Sequence, residues 1–227
     1  MIAESHSMKP EIKGPEQGKT IAVVGAGGHA LIVLDILEKM GGVQIAGLVD
    51  PSLPPGSLCH GYSVLGNDDM LPALKAQGLN NLALGVGGFK NNGTRRAIFG
   101  RLKTAGFELI SPIHPDSVVS PRASLGEGCC VFAGVTVNPA CVLGDNVIIA
   151  TNSSIDHETT LESHVLISAG CTIGGNVTIG EGSLVAIGAT VVSGVKIGRN
   201  ALVAAGAVVV KDVEDGLTVM GVPARVK

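Results

Sequence analysis

From Ile113 onward an aliphatic residue returns at every sixth position: Ile113, Val119, Leu125, Val131, Val137, and on through Val203 and Val209. All seventeen members of that series are Ile, Leu or Val. If such residues filled about a third of positions at random, the run would have odds on the order of one in 10⁸. The hexad repeat is therefore real, and it excludes a helix, which wants a period of 3.6. Two places before each aliphatic, from Ala123 onward, stand only Ala, Cys, Val, Ser and Thr. Glycine often follows the aliphatic, as at Gly126, Gly144, Gly174, Gly180 and Gly198. One inward aliphatic per short strand, with a small residue at each tight corner, describes a three-sided coil of about 18 residues. Coils stacked at the ~4.8 Å strand spacing give roughly five turns, or about 26 Å, of a parallel β-helix prism. The composition agrees, because the aromatics are limited to Tyr62, Phe89, Phe99, Phe107 and Phe132 with no Trp.

The preceding half has a different grammar. Residues 1–18 are polar with Pro and Gly and read as a flexible leader, so His6 carries no weight. Ile21–Val24 predicts a buried strand, Gly25–His29 a turn, and Leu31–Glu38 a helix stopped by Gly41-Gly42. Strands over 43–49 and 81–85, a loop at the prolines after Asp50, and helices over 68–77 and 94–104 complete a small parallel α/β sheet. The expected division is a leader at 1–18, an α/β half-Rossmann domain at 19–107 and the β-helix at 108–227.

Several function classes drop out. A net charge of −3, with no basic patch interleaved with aromatics, gives nothing to hold nucleic acid. No apolar run reaches the ~18–20 residues of a membrane helix. Five cysteines, an odd number, without Cys-x-x-Cys or a signal peptide, point to a reducing, cytoplasmic setting. Cys129, Cys141 and Cys171 fall on the small-corner phase, which makes them packing residues. No metal site is expected, since a zinc prism needs three converging His and the coils hold only His157 and His164.

Period-2 alternation places the residue before each inward aliphatic on the outside. Sorted by side, one wall presents Cys130, Ile148, Leu166, Leu184 and Leu202. Such an apolar strip is an unmet burial demand, read here as a subunit interface, with docking of the N-terminal domain as the other option. Arg95, Arg96, Arg101 and Lys103 form either a phosphate patch or a solvated helix face.

Two places hold candidate chemistry. His157, two residues after an inward Ile, belongs at a corner with Glu158 beside it, where a carboxylate can hold the imidazole as a general base. The bland alternative is an exposed polar corner. Gly25-Ala-Gly-Gly-His-Ala30 fits G-x-G-x-x-A between strand and helix, a turn that offers N–H groups to a phosphate, with Asp50 at the next strand end. Alone, it suggests a nicotinamide or flavin nucleotide.

Residues 113–209 resemble the left-handed parallel β-helix of hexapeptide-repeat acyltransferases. Residues 20–227 as a whole resemble the sugar acetyltransferases that include bacillosamine- and perosamine-pathway N-acetyltransferases and sialic acid O-acetyltransferases. The carriers are Gly25-Ala-Gly-Gly-His29, Asp156-His157-Glu158 and a terminal Gly221-Val-Pro-Ala224. The resemblance implies left-handedness, a homotrimer, His157 as catalytic base and Glu158 as its support. It implies acetyl-coenzyme A as co-substrate on Gly175, Ile187 and Ala205. It further implies a UDP-linked 4-amino-dideoxy sugar on Gly27, Gly28, His29, Asp50 and Gly85. O-acetylation of a sialic-type sugar and a non-catalytic sugar-nucleotide binding protein remain alternatives. The pattern is broken at three places: Ala205 replaces a Gly, Ala150 an Asn, and Leu166 the second His usually found nine residues after the first, with His164 two short of it.

Overall fold

The computed structural model describes residues 18–88 and 92–227. The leader up to residue 17, with His6, and Phe89 lie outside the described residues.

Strands β1 (Lys19–Val24), β2 (Val43–Val49), β3 (Leu58–Cys59), β4 (Tyr62–Gly66), β5 (Asn81–Leu84) and β6 (Glu108–Leu109) form one sheet in the order β3-β4-β2-β1-β5-β6. β1 lies between β2 and β5, parallel to both, and Ile21–Val24 is buried, as expected of a central parallel strand. Helix α1 (Gly28–Met40) buries Ala30, Val33, Leu34, Ile36 and Leu37 and ends on Gly41, whose φ of +66° a side chain would resist. The expected helix at 68–77 splits into a 3₁₀ turn at Asp68–Met70 and α2 (Leu71–Ala76). The expectation of a loop after Asp50 is half right. Beyond the prolines the chain forms the β3–β4 hairpin, and β4 returns to pair in parallel with β2. Helix α3 (Gly93–Thr104) follows β5.

From Val118 the chain coils into three walls of two-residue strands, each paired in parallel with the strand eighteen residues on, as in Thr136↔Ser154 and Leu143↔Leu161. Wall I runs from Val118–Val119 to Val208–Val209, wall II from Ser124–Leu125 to Lys196–Ile197, and wall III from Cys130–Val131 to Leu202–Val203. Wall III continues into Thr218–Met220, and Arg225–Val226 folds back antiparallel on that last strand. The inward aliphatics fill the axis: Val131, Ile149, Ile155, Leu161, Ile167, Ile179 and Val185 are each 0% exposed.

The small-corner phase proves to be a second inward column with its own hydrogen-bond rule. Ser153, Thr159 and Ser183 each donate a hydroxyl to the carbonyl fifteen residues on and accept from the N–H eighteen residues on. Cys129, Cys141 and Cys171 make the same i+15 thiol contact, each at 3.1 Å. Burial raises the Cys129 thiol to about 12 and pushes Cys130, Cys141 and Cys171 upward too, the reverse of a nucleophile's tuning.

Two surface expectations need correction. The apolar strip of wall III is covered within a single chain: Cys130, Ile148, Leu166 and Leu184 are buried, and only Leu202 is partly exposed. One continuous cluster of buried residues joins α1 to this wall, so the strip's burial demand is met by the chain's own fold rather than by a second subunit. Arg96, Arg101 and Lys103 lie on the solvated face of α3, and Arg95 alone departs from it. Arg95 is 1% exposed and donates to the carbonyls of Asn146 and His164 and to the Asn146 side chain. Asn92 donates to the Gly182 carbonyl, and together they pin α3 to the corner between walls II and III. Arg96, Arg101 and Lys103 pair with Glu181, Asp68 and Glu127.

Candidate active site

Each coil turns its corners through one residue with positive φ, three places after the inward aliphatic. Gly or Asn fills that position at Gly128, Gly134, Asn146, Asn152, Gly170, Asn176 and beyond, as the left-handed region demands. Ala140, Glu158 and His164 are the exceptions within the coils. The departures at Glu158 and His164 are a signal that sequence reading missed, because glutamate and histidine gain nothing conformationally from this position.

At Glu158 the reason is visible. With φ at +59°, its side chain folds back toward its neighbour, and Oε2 lies 3.0 Å from His157 Nδ1. A carboxylate only accepts here, so Nδ1 carries the proton, and in the neutral ring the lone pair falls to Nε2. That nitrogen faces Gly175 on the next coil, where a Cβ would stand 2.8 Å from it. Asp156 completes the corner: its Oδ1 accepts from the His157 N–H at 2.8 Å and from the Asn138 amide at 3.0 Å, which holds its carboxyl below the usual range. The imidazole side chain is 57% exposed, on the outer corner between walls I and II.

The structure does not bring the other expected thioester residues to this corner. Ile187, 65% exposed, and Ala205 stack one coil apart on the corner between walls III and I, linked by the Gly206 N–H to the Ile187 carbonyl at 2.9 Å. Gly175 alone sits with His157. Nor does His164 replace the missing second imidazole. It lies on the corner between walls II and III, its Nδ1 2.9 Å from the Asn146 amide and its ring edge-on to Phe99 at 5.4 Å. Burial first, then Arg95 and Arg96, lower its pKa. Leu166 is buried in wall III, and Ala150 belongs to the corner shared by walls III and I.

In the N-terminal domain the glycine loop lies where β1 meets α1. Gly27 and Gly28 are exposed, and a Cβ on either would meet nothing within 4 Å, so nothing in the chain itself requires glycine there. Open space in front of N–H groups at a helix start suits an anionic ligand. Asp50 Oδ2 accepts from the Ala26 N–H at 2.8 Å, while Oδ1 takes both the N–H and the hydroxyl of Ser52. These bonds outweigh the desolvation that would raise its pKa, and the carboxyl sits below its ordinary value. Asp50 thus shapes the loop. Gly85 is buried and faces α1, where a Cβ would stand 2.7 Å from Val23 and 2.9 Å from Ala30, so packing explains that glycine. His29 stacks on Phe132 at 5.6 Å, and burial, aided by Arg95, lowers its pKa to about 4. Its Nε2 is buried without a hydrogen-bond partner.

Among the described residues no group of three His, Cys, Asp or Glu is placed to hold a metal ion, and no helix is long and apolar enough to cross a membrane.

A glycine loop on a parallel sheet, followed by a left-handed β-helix with an exposed histidine corner, defines a hexapeptide-repeat acyltransferase. The family models agree: PglD N-terminal domain matches residues 20–102, and bacterial transferase hexapeptide (six repeats) matches 176–211. A variant of GDP-perosamine N-acetyl transferase from Caulobacter crescentus, solved with CoA and GDP-perosamine, is 36% identical over 92% of this chain and 96% of its own, with a TM-score of 0.86. The acetyltransferase domain of PglB from Neisseria gonorrhoeae, solved with acetyl coenzyme A, is also 36% identical, over 92% and 100%, at 0.84. WeeI from Acinetobacter baumannii, 21% identical over 93% and 100% at 0.52, shares the fold. No curated protein matches the sequence. The chain belongs to the PglD-type family of hexapeptide-repeat sugar acetyltransferases.

Proposed function

We propose that this protein transfers the acetyl group of acetyl-coenzyme A to the amino group of a nucleotide-linked amino sugar, with His157 as general base. The observation that carries the reading is the His157–Glu158 contact at 3.0 Å, which in the neutral ring leaves the lone pair on Nε2, against the Gly175 backbone that has no side chain to crowd it. His157 Nε2 takes the proton lost by the amine as its nitrogen bonds to the thioester carbonyl carbon, and the imidazolium returns it to the departing thiolate. Glu158 steadies the imidazolium. Main-chain N–H groups hold the carbonyl oxygen in place of the family's second His, which is Leu166 here. The diphosphate rests on the loop at Gly27, Gly28 and His29, which Asp50 and Gly85 shape.

The glycine loop, through His29 and Phe132, and the Ile187–Ala205 column lie toward one corner of the prism, whereas His157 and Gly175 lie at another. Two copies reconcile them, so the proposed assembly is a homotrimer. Each site takes its base from one chain and its sugar loop and pantetheine contacts from the next. The proposed acceptor is a UDP-linked 4-amino-dideoxy sugar. A GDP-linked one is the second reading, favoured by the GDP-perosamine bound to the Caulobacter relative.

Thiol release from acetyl-coenzyme A over a panel of UDP- and GDP-linked amino and hydroxy sugars tests the proposal. Turnover with an amino sugar, lost in His157→Ala, is expected. Acetylation of hydroxyl acceptors alone, or a His157→Ala rate equal to wild type, overturns it.

A further inference from the structure

The β3–β4 hairpin has no role in the site as derived so far, yet it touches the glycine loop. Its two-residue turn is His60-Gly61, with φ of +51° and +83°. Asn-Gly is the favoured pair for such a turn, so the histidine answers to something other than turn formation. Its Nε2 lies 2.9 Å from the Ala26 carbonyl, and Cys59 Sγ approaches the same oxygen at 3.7 Å. The Ala26 N–H is held from the other side by Asp50. One residue of the loop is thus gripped at both its N–H and its C=O.

The tautomer follows from the chemistry. A carbonyl only accepts, so Nε2 donates, and the neutral ring keeps a lone pair at Nδ1. The side chain is exposed, and Nδ1 meets no hydrogen-bond partner among the described residues. Both oxygens of Asp50 are engaged in shaping the loop, and His60 adds an acceptor facing outward beside it.

We propose that His60 is a specificity-determining residue for the nucleoside, accepting through Nδ1 from a ring N–H on the pairing edge of the base. Uracil, thymine and guanine carry such an N–H. Adenine and cytosine do not. The inference rests on the sugar-nucleotide reading given above and adds to it the class of base. It accommodates UDP- and GDP-linked acceptors alike and excludes ADP- and CDP-linked ones.

The test is calorimetric titration of the whole protein with UDP, GDP, ADP and CDP. Wild type is compared with His60→Ala and His60→Asn, the latter suited to the left-handed turn, and thermal unfolding confirms that each variant folds. The wild type is expected to bind UDP or GDP about tenfold or more tightly than ADP and CDP, the scale of one hydrogen bond at a partly exposed site. In both variants that ratio should fall to about twofold, with ADP and CDP binding unchanged. An equal loss for all four nucleotides would make His60 a mere clip on the loop and overturn the inference, as would an unchanged ratio or a wild type without preference. A wild type that binds none of the four overturns the sugar-nucleotide reading itself.

Discussion

A Cβ placed on Gly175 would stand 2.8 Å from Nε2 of His157 and 2.9 Å from Cε1, one coil apart on the same corner. The glycine therefore sets where the imidazole rests. Gly175→Ala should push the ring aside without disturbing the core, because the ring is over half exposed and free to swing. The expected result is a fall in kcat of about a hundredfold, the cost of misplacing a catalytic group by roughly 1 Å. Thermal unfolding should stay within a degree or two of wild type, on the order of 0.5 kcal/mol. Steady-state rates beside melting curves check both halves.

Glu158 occupies a left-handed position that Gly or Asn would fill more comfortably. Glu158→Asn should therefore stabilise the fold by up to about 1 kcal/mol while removing the carboxylate from Nδ1. Glu158→Gln keeps the reach without the charge and should lower kcat by about tenfold or more. A variant that gains stability and keeps full activity would remove Glu158 from the mechanism.

His29 gives the protein a pH-sensitive joint. Its folded pKa of about 4 lies below the ordinary 6.5 because burial, and then Arg95, disfavour the imidazolium. Between those values the unfolded chain binds a proton that the folded one refuses. Stability that is fully present above pH 6.5 is therefore lost as pH falls toward 4, by up to about 3 kcal/mol. His164, shifted in the same direction, adds to the trend. Denaturant titrations from pH 7.5 to 4.5 should show a shallower decline in His29→Gln than in wild type.

Arg95 is buried with main-chain carbonyls of the coils as its partners, and burial lowers its pKa to about 10, still charged at neutral pH. Arg95→Ala should cost about 2–4 kcal/mol, since it strands the carbonyls of Asn146 and His164 under α3. Arg95→Lys should recover little of this, because a single ammonium cannot span both acceptors. A denaturation midpoint equal to wild type would show that the junction is held elsewhere.

The prism was legible in the sequence almost residue by residue, since each coil repeats the same local demand. An aliphatic points inward, a small residue lines the axis beside it, and the corner takes a backbone that favours Gly or Asn. Periodicity of that kind needs no knowledge of distant contacts. The hairpin at residues 58–66 escaped because only two residues pair on either side of His60-Gly61, too few to leave a periodic trace, and the place of β4 in the sheet is decided by β2. Arg95 on α3 escaped for a related reason. Charge along a helix says nothing of what the helix lies against, and Arg95 was buried by a wall whose nearest partner residue is over fifty positions away.

What the sequence determined alone is the repeating cross-section, the phase of every inward residue, and the presence of His157 and Glu158 at one corner. Tertiary structure alone decided that the apolar wall is covered by its own chain, that Arg95 makes the cationic helix a docking pin, and that the glycine loop and His157 lie on different corners. Local repetition writes itself into residue order because each coil satisfies its own burial and its own hydrogen bonds. The contacts between the two halves depend on which surfaces meet, and that is a property of three-dimensional shape that no spacing along the chain encodes.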